Sequence, residues 1–96
     1  MGNDNQVTLQ VKSIGENVSL VRMMAGGFLY SYDLTLDVLD EIKIALSEAV
    51  SNCMIHGYNN ARDRIVTVTM EVQDRKLTIE VQDDGVGIAD IAQAME

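Results

Sequence analysis

Residues 66–83 read VTVTMEVQDRKLTIEVQD, and their pattern is the strongest indication of the fold in this sequence. Apolar and polar side chains alternate on both sides of a short central segment, Gln73-Asp74-Arg75-Lys76. Such alternation predicts two half-buried strands, and the connection is short enough for an antiparallel hairpin, although it lacks the glycine of the tightest turns. We therefore expect a sheet with one apolar face. Its apolar residues are Val66, Val68, Met70, Val72, Leu77, Ile79 and Val81.

The segment before this hairpin predicts a further strand and a helix. Val7, Leu9 and Val11 alternate with polar residues, as in a half-buried strand. From Glu16 onward the apolar residues recur with the period of a helix, and the pair Gly26-Gly27 lies inside it. Two glycines permit either close helix packing or a bend, and we expect close packing.

A second, longer helix follows. Thr35 is a suitable N-cap, and Asp37 places negative charge in the first turn, where the helix dipole favours it. Gly57 is a natural C-terminal stop. The predicted order is thus strand, helix, helix, strand, strand, which is an α+β layer with helices on one face of the sheet.

The last residues, 86–96, predict a loop that enters a short helix. With no returning strand, the edge of the sheet would stay open and invite another chain. We therefore expect the sheet to be incomplete, the chain to be a fragment, and the fragment to self-associate.

The amino-acid composition excludes several classes of partner and site. Ninety-six residues allow a single domain, over residues 1–96. The net charge is −8, and the sequence contains no cluster of basic residues. Neither nucleic acid nor an anionic membrane is therefore expected as a direct partner. The single Cys53 excludes an intramolecular disulfide and a cysteine-based zinc cluster. Without a secretory signal at the start, we expect the protein in the cytoplasm.

One candidate site residue lies at the end of the hairpin. Asp83 shares the parity of the apolar row of its strand, and a carboxylate there is costly to bury without hydrogen-bond donors. Gly85 and Gly87 follow in a loop that could approach a ligand closely. Asp83 either caps a turn or accepts a hydrogen bond from the amino group of a ligand.

The second helix offers further candidates. Glu48 and Asn52 lie four residues apart and share a helix face, and His56 continues the row. Their oxygen atoms could serve a general base and a divalent cation. The alternative is a solvated helix face, with His56 as an ordinary histidine near the C-terminal carbonyls.

Taken together, these segments resemble a known family. Residues 48–60, EAVSNCMIHGYNN, and residues 83–88, DDGVGI, resemble the N box and the first glycine box of GHKL-type ATPases. The N box, with its HGY, and residues 16–22, ENVSLVR, are similar to the anti-sigma factor and serine-protein kinase subgroup, which includes sporulation anti-sigma factors. The likeness runs from about residue 7 to residue 91.

The resemblance implies a two-layer α/β sandwich of the Bergerat type, with ATP or ADP between the helices and the sheet. It implies that Asn52 helps to bind Mg²⁺, that Glu48 acts as the base or orients the nucleophile, and that Asp83 accepts from the adenine amino group. Gly85 and Gly87 would form the turn beneath the nucleotide. The later ATP lid and the second glycine box of the family are absent from these 96 residues.

The resemblance also implies partners. Arg22, in the first helix, would contact a sigma factor or an anti-sigma-factor antagonist; alternatively it is a solvated cation. We expect a homodimeric, ATP-binding anti-sigma factor that phosphorylates a serine or threonine of the antagonist. Two alternatives stay open: a non-catalytic sigma-binding module, and the ATP-binding part of a sensor histidine kinase. The HGY segment and the short N-terminal strand count against the second.

Overall fold

A computed structural model describes residues 4–57, 64–83 and 88–94. It has two helices packed on one face of a four-stranded antiparallel sheet whose strand order follows the chain, β1-β2-β3-β4. This architecture confirms the predicted α+β class. The elements are β1 (Asn5–Lys12), α1 (Glu16–Leu29), α2 (Leu36–Asn52), a single π-helical turn (Cys53–Gly57), β2 (Ile65–Gln73), β3 (Lys76–Gln82) and β4 (Ile88–Ala94).

The predicted hairpin is formed by β2 and β3. Gln73 pairs with Lys76, so the loop contains only two residues, Asp74 and Arg75. Their φ angles are 54° and 65°, which is the backbone conformation of the primed turns that match the twist of a hairpin. The chain therefore builds this turn without glycine, and both residues carry the strain that a side chain causes at positive φ.

The alternating pattern determines which side chains form the core. In β2 and β3, every apolar residue of the pattern is buried, and the residues between them are more exposed. The helices contribute an i, i+4 row each. The buried apolar residues are Val11, Val21, Ala25, Leu29, Ile42, Leu46, Val50, Met54, Val66, Val68, Met70, Val72, Leu77, Ile79 and Val81.

The glycine pair in α1 fits the packing hypothesis at one position only. A Cβ atom on Gly26 would lie 3.3 Å from Cε of Lys43 on α2, so Gly26 does face the second helix closely. A Cβ atom on Gly27 would meet nothing within 4 Å. Close helix packing therefore accounts for Gly26 and leaves Gly27 without a packing reason.

The start of α2 agrees with the sequence. Thr35 has an extended backbone, and its side-chain oxygen accepts a hydrogen bond from the backbone N–H of Val38 at 3.2 Å. Asp37 lies in the first turn, as expected from the helix dipole. No helix among the described residues is both long enough and apolar enough to cross a membrane.

The prediction for the end of the chain is wrong in one respect. Residues 88–94 form a strand instead of a short helix, and this strand pairs antiparallel with β3, with Ile79 opposite Ile91. Only five residues separate it from β3, so the pairing closes a short loop at little entropic cost and satisfies the backbone groups along the β3 edge. The edge that was expected to stay open is therefore covered.

Candidate functional site

The site begins at the carboxyl end of β3. Leu77, Ile79 and Val81 point into the core and are at most 2% exposed. Asp83 directly follows this strand and is half-buried. A carboxylate at the end of an apolar row lies at the boundary between the core and solvent, where it can accept a hydrogen bond without the full cost of burial.

Two further candidates lie near the end of α2. Asn52 is the last residue of the helix, Glu48 lies one turn before it, and both side chains are exposed. Val50, between them, is fully buried and fixes the rotation of the helix. Glu48 and Asn52 therefore share the exposed side of α2, as their spacing predicted.

The helix does not simply stop after Asn52. It widens into a π-helical turn, Cys53–Gly57, in which Met54 is buried and holds the turn against the core. The backbone N–H of Cys53 donates to the carbonyls of both Ala49 and Val50, so the α-helical hydrogen bonding continues up to Cys53. Single π turns of this kind occur often at functional sites.

Electrostatics link this turn to the end of β3. Burial raises the pKa of the Cys53 thiol above its ordinary value, and the negative charge of Asp83 raises it further. Asp83 therefore lies within electrostatic range of Cys53, the residue next to Asn52. The sequence predicted Cys53 only as a small packing residue, which it also is, since it packs half-buried against the core.

The remaining candidates lie at different places in the fold. Gly85 and Gly87 lie outside the described residues. His56 lies within the π-helical turn. Arg22 is exposed on α1, and that helix packs nearest β1, whereas Asp83 lies beyond the end of β3.

The residues present suit a purine nucleotide and its cation. An adenine ring offers an apolar surface with one exocyclic amino donor, and Asp83 offers one acceptor at the end of an apolar row. Among the described residues, no group of three or more His, Cys, Asp and Glu side chains could hold a metal ion.

Residues 12–96 match the family described as histidine kinase-like ATPase domain. The anti-sigma F factors of Clostridium acetobutylicum and Lysinibacillus sphaericus are each 43% identical over 97% of this chain and 64% of their own length. The anti-sigma F factor of Geobacillus kaustophilus is 41% identical over 96% of this chain and 63% of its own length. The chain therefore spans a little under two thirds of these relatives.

Proposed function

The chain belongs to the family of histidine kinase-like ATPase domains, and from that premise we propose that it is the ATP-binding part, over residues 1–96, of an anti-sigma factor. One observation carries the proposal: the Asp83 carboxylate, at the end of β3, lies within electrostatic range of Cys53, next to Asn52. In this proposal Asp83, which recognises the base, and Asn52, whose amide lies on the phosphate side, belong to one site. ATP or ADP and Mg²⁺ are the proposed ligands.

Each side chain has a distinct task in this proposal. Asp83 accepts a hydrogen bond from the adenine amino group, and Gly85 and Gly87 let the backbone approach the nucleotide. Asn52 supplies one oxygen ligand to Mg²⁺. When bound, Mg·ATP supplies a transferable phosphoryl group. Glu48 accepts the proton that leaves a serine or threonine hydroxyl of the protein substrate and holds that hydroxyl in line for attack.

The proposed partners follow from the relatives. Proteins named anti-sigma F factor support a sigma factor as one partner. We further propose an anti-sigma-factor antagonist as the protein that is phosphorylated. Arg22 is exposed on α1 and is our proposed contact for these proteins. We place the protein in the cytoplasm, where sigma factors meet RNA polymerase, and propose that it acts as a homodimer.

Base recognition can be tested at Asp83. Asp83→Asn should weaken ATP and ADP by similar factors, since both share the adenine, and the loss should be roughly 1.5–3 kcal/mol for a hydrogen bond to a charged group. Isothermal titration calorimetry measures both affinities. Asp40→Asn, at an exposed position of α2, is the matched control and should bind normally. Unchanged affinity of Asp83→Asn for both nucleotides would refute the assignment.

Phosphotransfer can be tested at the end of α2. Glu48→Gln should leave Mg·ATP binding largely intact and abolish phosphotransfer to a purified antagonist, because the proton acceptor is lost. Asn52→Ala should remove the Mg²⁺ dependence of nucleotide binding. Glu41→Gln, two turns before Glu48 and also exposed, is the control. Full phosphotransfer by Glu48→Gln would contradict its role. Sigma binding without any phosphotransfer by the unmodified protein would favour a non-catalytic binding module.

A further inference from the structure

Ile44 is a large apolar side chain that stays exposed beside the candidate site. It lies on α2 and is 56% exposed, one turn before Glu48 and two turns before Asn52. Residues four apart on a helix share a face, so Ile44, Glu48 and Asn52 form one row along the exposed side of α2. An exposed isoleucine therefore borders the proposed catalytic carboxylate.

The neighbours of Ile44 leave its side chain uncovered. Lys43 is half-buried and lies across α1, with its Cε 3.3 Å from the position of a Cβ atom on Gly26. The hydroxyl of Ser47 donates to the carbonyl of Lys43 at 2.8 Å, so it is engaged within its own helix. Among the described residues, the core cluster and the side chains packed against it do not include Ile44. The packing of α2 therefore gives no reason for an isoleucine at this position.

The order of the row determines which ligand Ile44 can meet. In the function proposed above, Asn52 lies on the side of Mg²⁺ and the phosphates, and Glu48 accepts the proton of the attacking hydroxyl. The attacking and leaving oxygens of phosphoryl transfer are roughly in line, so the protein substrate approaches from the side opposite the nucleotide. Along α2, Ile44 and Asn52 lie on opposite sides of Glu48. In that arrangement Ile44 lies on the side from which the protein substrate arrives.

Helix and strand geometry specify which residue of the substrate can reach Ile44. Four residues of α-helix rise about 6 Å, and this rise separates Ile44 from Glu48 along the axis. An extended chain rises about 3.3 Å per residue, and its alternate side chains point to the same side. A substrate side chain two residues from the reacting hydroxyl is therefore about 6–7 Å from it and points to the same side.

We propose that Ile44 selects the protein substrate by binding an aliphatic side chain two residues from the serine or threonine that is phosphorylated. This inference rests on the proposed phosphotransfer and names a feature of its substrate. Contact between the two side chains removes apolar surface from water, so substrates with leucine, isoleucine, valine or methionine at that position are favoured.

Charge adds to the description of the substrate segment. The exposed charged side chains of α2 are all acidic, because its one basic residue, Lys43, is half-buried against α1. A segment that lies along this face should therefore carry lysine or arginine, and not aspartate or glutamate, around its aliphatic residue. This preference belongs to the face as a whole, since single exposed charge pairs contribute little.

Steady-state phosphotransfer to a purified antagonist tests the role of Ile44. Ile44→Thr keeps the branched shape and removes apolar surface, so it should raise KM for the antagonist roughly tenfold, with kcat and Mg·ATP affinity unchanged. Ile44→Leu keeps an aliphatic side chain and should retain KM within about threefold. Leu36→Thr, at a more exposed position two turns earlier on α2, is the matched control and should behave like the unmodified protein. Circular dichroism checks that each variant folds.

Substrate variants show whether the contact is the one proposed. Mass spectrometry identifies the phosphorylated residue of the antagonist, and the residues two before and two after it are changed to serine in turn. One of these changes should raise KM for the unmodified protein and have no further effect with Ile44→Thr, because the same contact is already lost. An antagonist with polar residues at both positions, or losses that simply add, would overturn the contact.

Binding measurements separate this inference from the proposed chemistry. Isothermal titration calorimetry of the antagonist with the protein and Mg·ADP requires no phosphotransfer, and Ile44→Thr should weaken this binding by a similar factor of roughly ten. Weakened binding without any phosphotransfer by the unmodified protein would refute the chemistry and keep the docking residue. Phosphotransfer with an unchanged KM in Ile44→Thr would overturn the inference and keep the proposed function. An antagonist that does not bind at all would overturn both.

Discussion

At the scale of single residues, the electrostatic effect of Asp83 depends on its position at the end of an apolar row. It continues the row of Leu77, Ile79 and Val81 one step beyond the strand, where the core ends. A carboxylate there influences its neighbours, because apolar surroundings screen charge poorly. The Cys53 thiol reports this influence through its raised pKa.

Alkylation of Cys53 can measure that influence directly. Asp83→Asn should lower the pKa of the Cys53 thiol, so the pH profile of its reaction with iodoacetamide should move to lower pH. Only part of the elevation should disappear, because burial is the larger cause. Cys53 is the only cysteine, so the rate belongs to one group.

The matched control for this measurement is Glu80→Gln, on the exposed side of β3. It removes one negative charge without touching the core row and should leave the profile in place. A profile that shifts equally in both variants would mean that the net charge of the protein, and not Asp83 itself, acts on the thiol.

The sequence predicted Asp83 as a candidate because parity along a strand is a local property. The proximity of Asp83 to Cys53 could not be predicted in this way, since it depends on how α2 docks against β3. Thirty residues separate the two in the chain. Spacing within one helix relates Glu48 to Asn52, but no pattern within either element relates a helix end to a strand end.

At the scale of elements, α1 carries a glycine that its packing does not require. Gly27→Ala should stabilise the protein by about 0.5–1 kcal/mol, because alanine loses less backbone entropy in a helix and its Cβ meets nothing within 4 Å. Gly26→Ala should gain less, since the side chain of Lys43 must move aside. Urea unfolding of the two variants compares them. A larger gain at Gly26 would show that the two positions have been assigned the wrong environments.

The β2–β3 turn offers a second stabilising change. Arg75 has a φ of 65°, and glycine adopts this conformation without the strain of a side chain. Arg75→Gly should therefore raise the free energy of unfolding by about 1 kcal/mol. Thermal unfolding measures it, with Arg75→Ala as the control that removes the same charge and keeps a Cβ. Equal effects of the two substitutions would attribute any gain to charge.

Elements with a strong local pattern were predictable, and those without one were not. Thr35 and the alternation in β2 and β3 mark their elements because side chains there either cap a helix or enter the core. Residues 88–94 contain Ile88 and Ile91 three apart, a spacing that also suits a helix. Pairing with β3 decides this segment, and that information lies outside it. The π-helical turn likewise has no sequence pattern of its own.

At the scale of the whole molecule, the core lies under the two central strands. Five apolar residues of β2 and β3 have no measurable exposure: Val66, Val68, Met70, Leu77 and Ile79. Leu46 of α2 is equally buried and belongs to the same core cluster. Edge strands lack a neighbour on one side and are the first to open locally. Stability should therefore fall from the centre of the sheet to its edges.

Hydrogen exchange in the native state tests this gradient. Amides of β2 and β3 that bond between strands should exchange at least about tenfold more slowly than those of β1 and β4 in dilute solution. Uniform protection across all four strands would contradict a graded core.

The long connection between β1 and β2 has a consequence for folding kinetics. Residues 13–64, more than half of the chain, separate the two strands, whereas β2, β3 and β4 follow one another through short connections. Closing the long loop costs more chain entropy, so the meander of β2, β3 and β4 should form before β1 joins it. Substitutions in β1 should then speed unfolding and leave the folding rate nearly unchanged. The lifetime of the folded protein should thus depend on the strength of the contacts between β1 and the rest of the sheet.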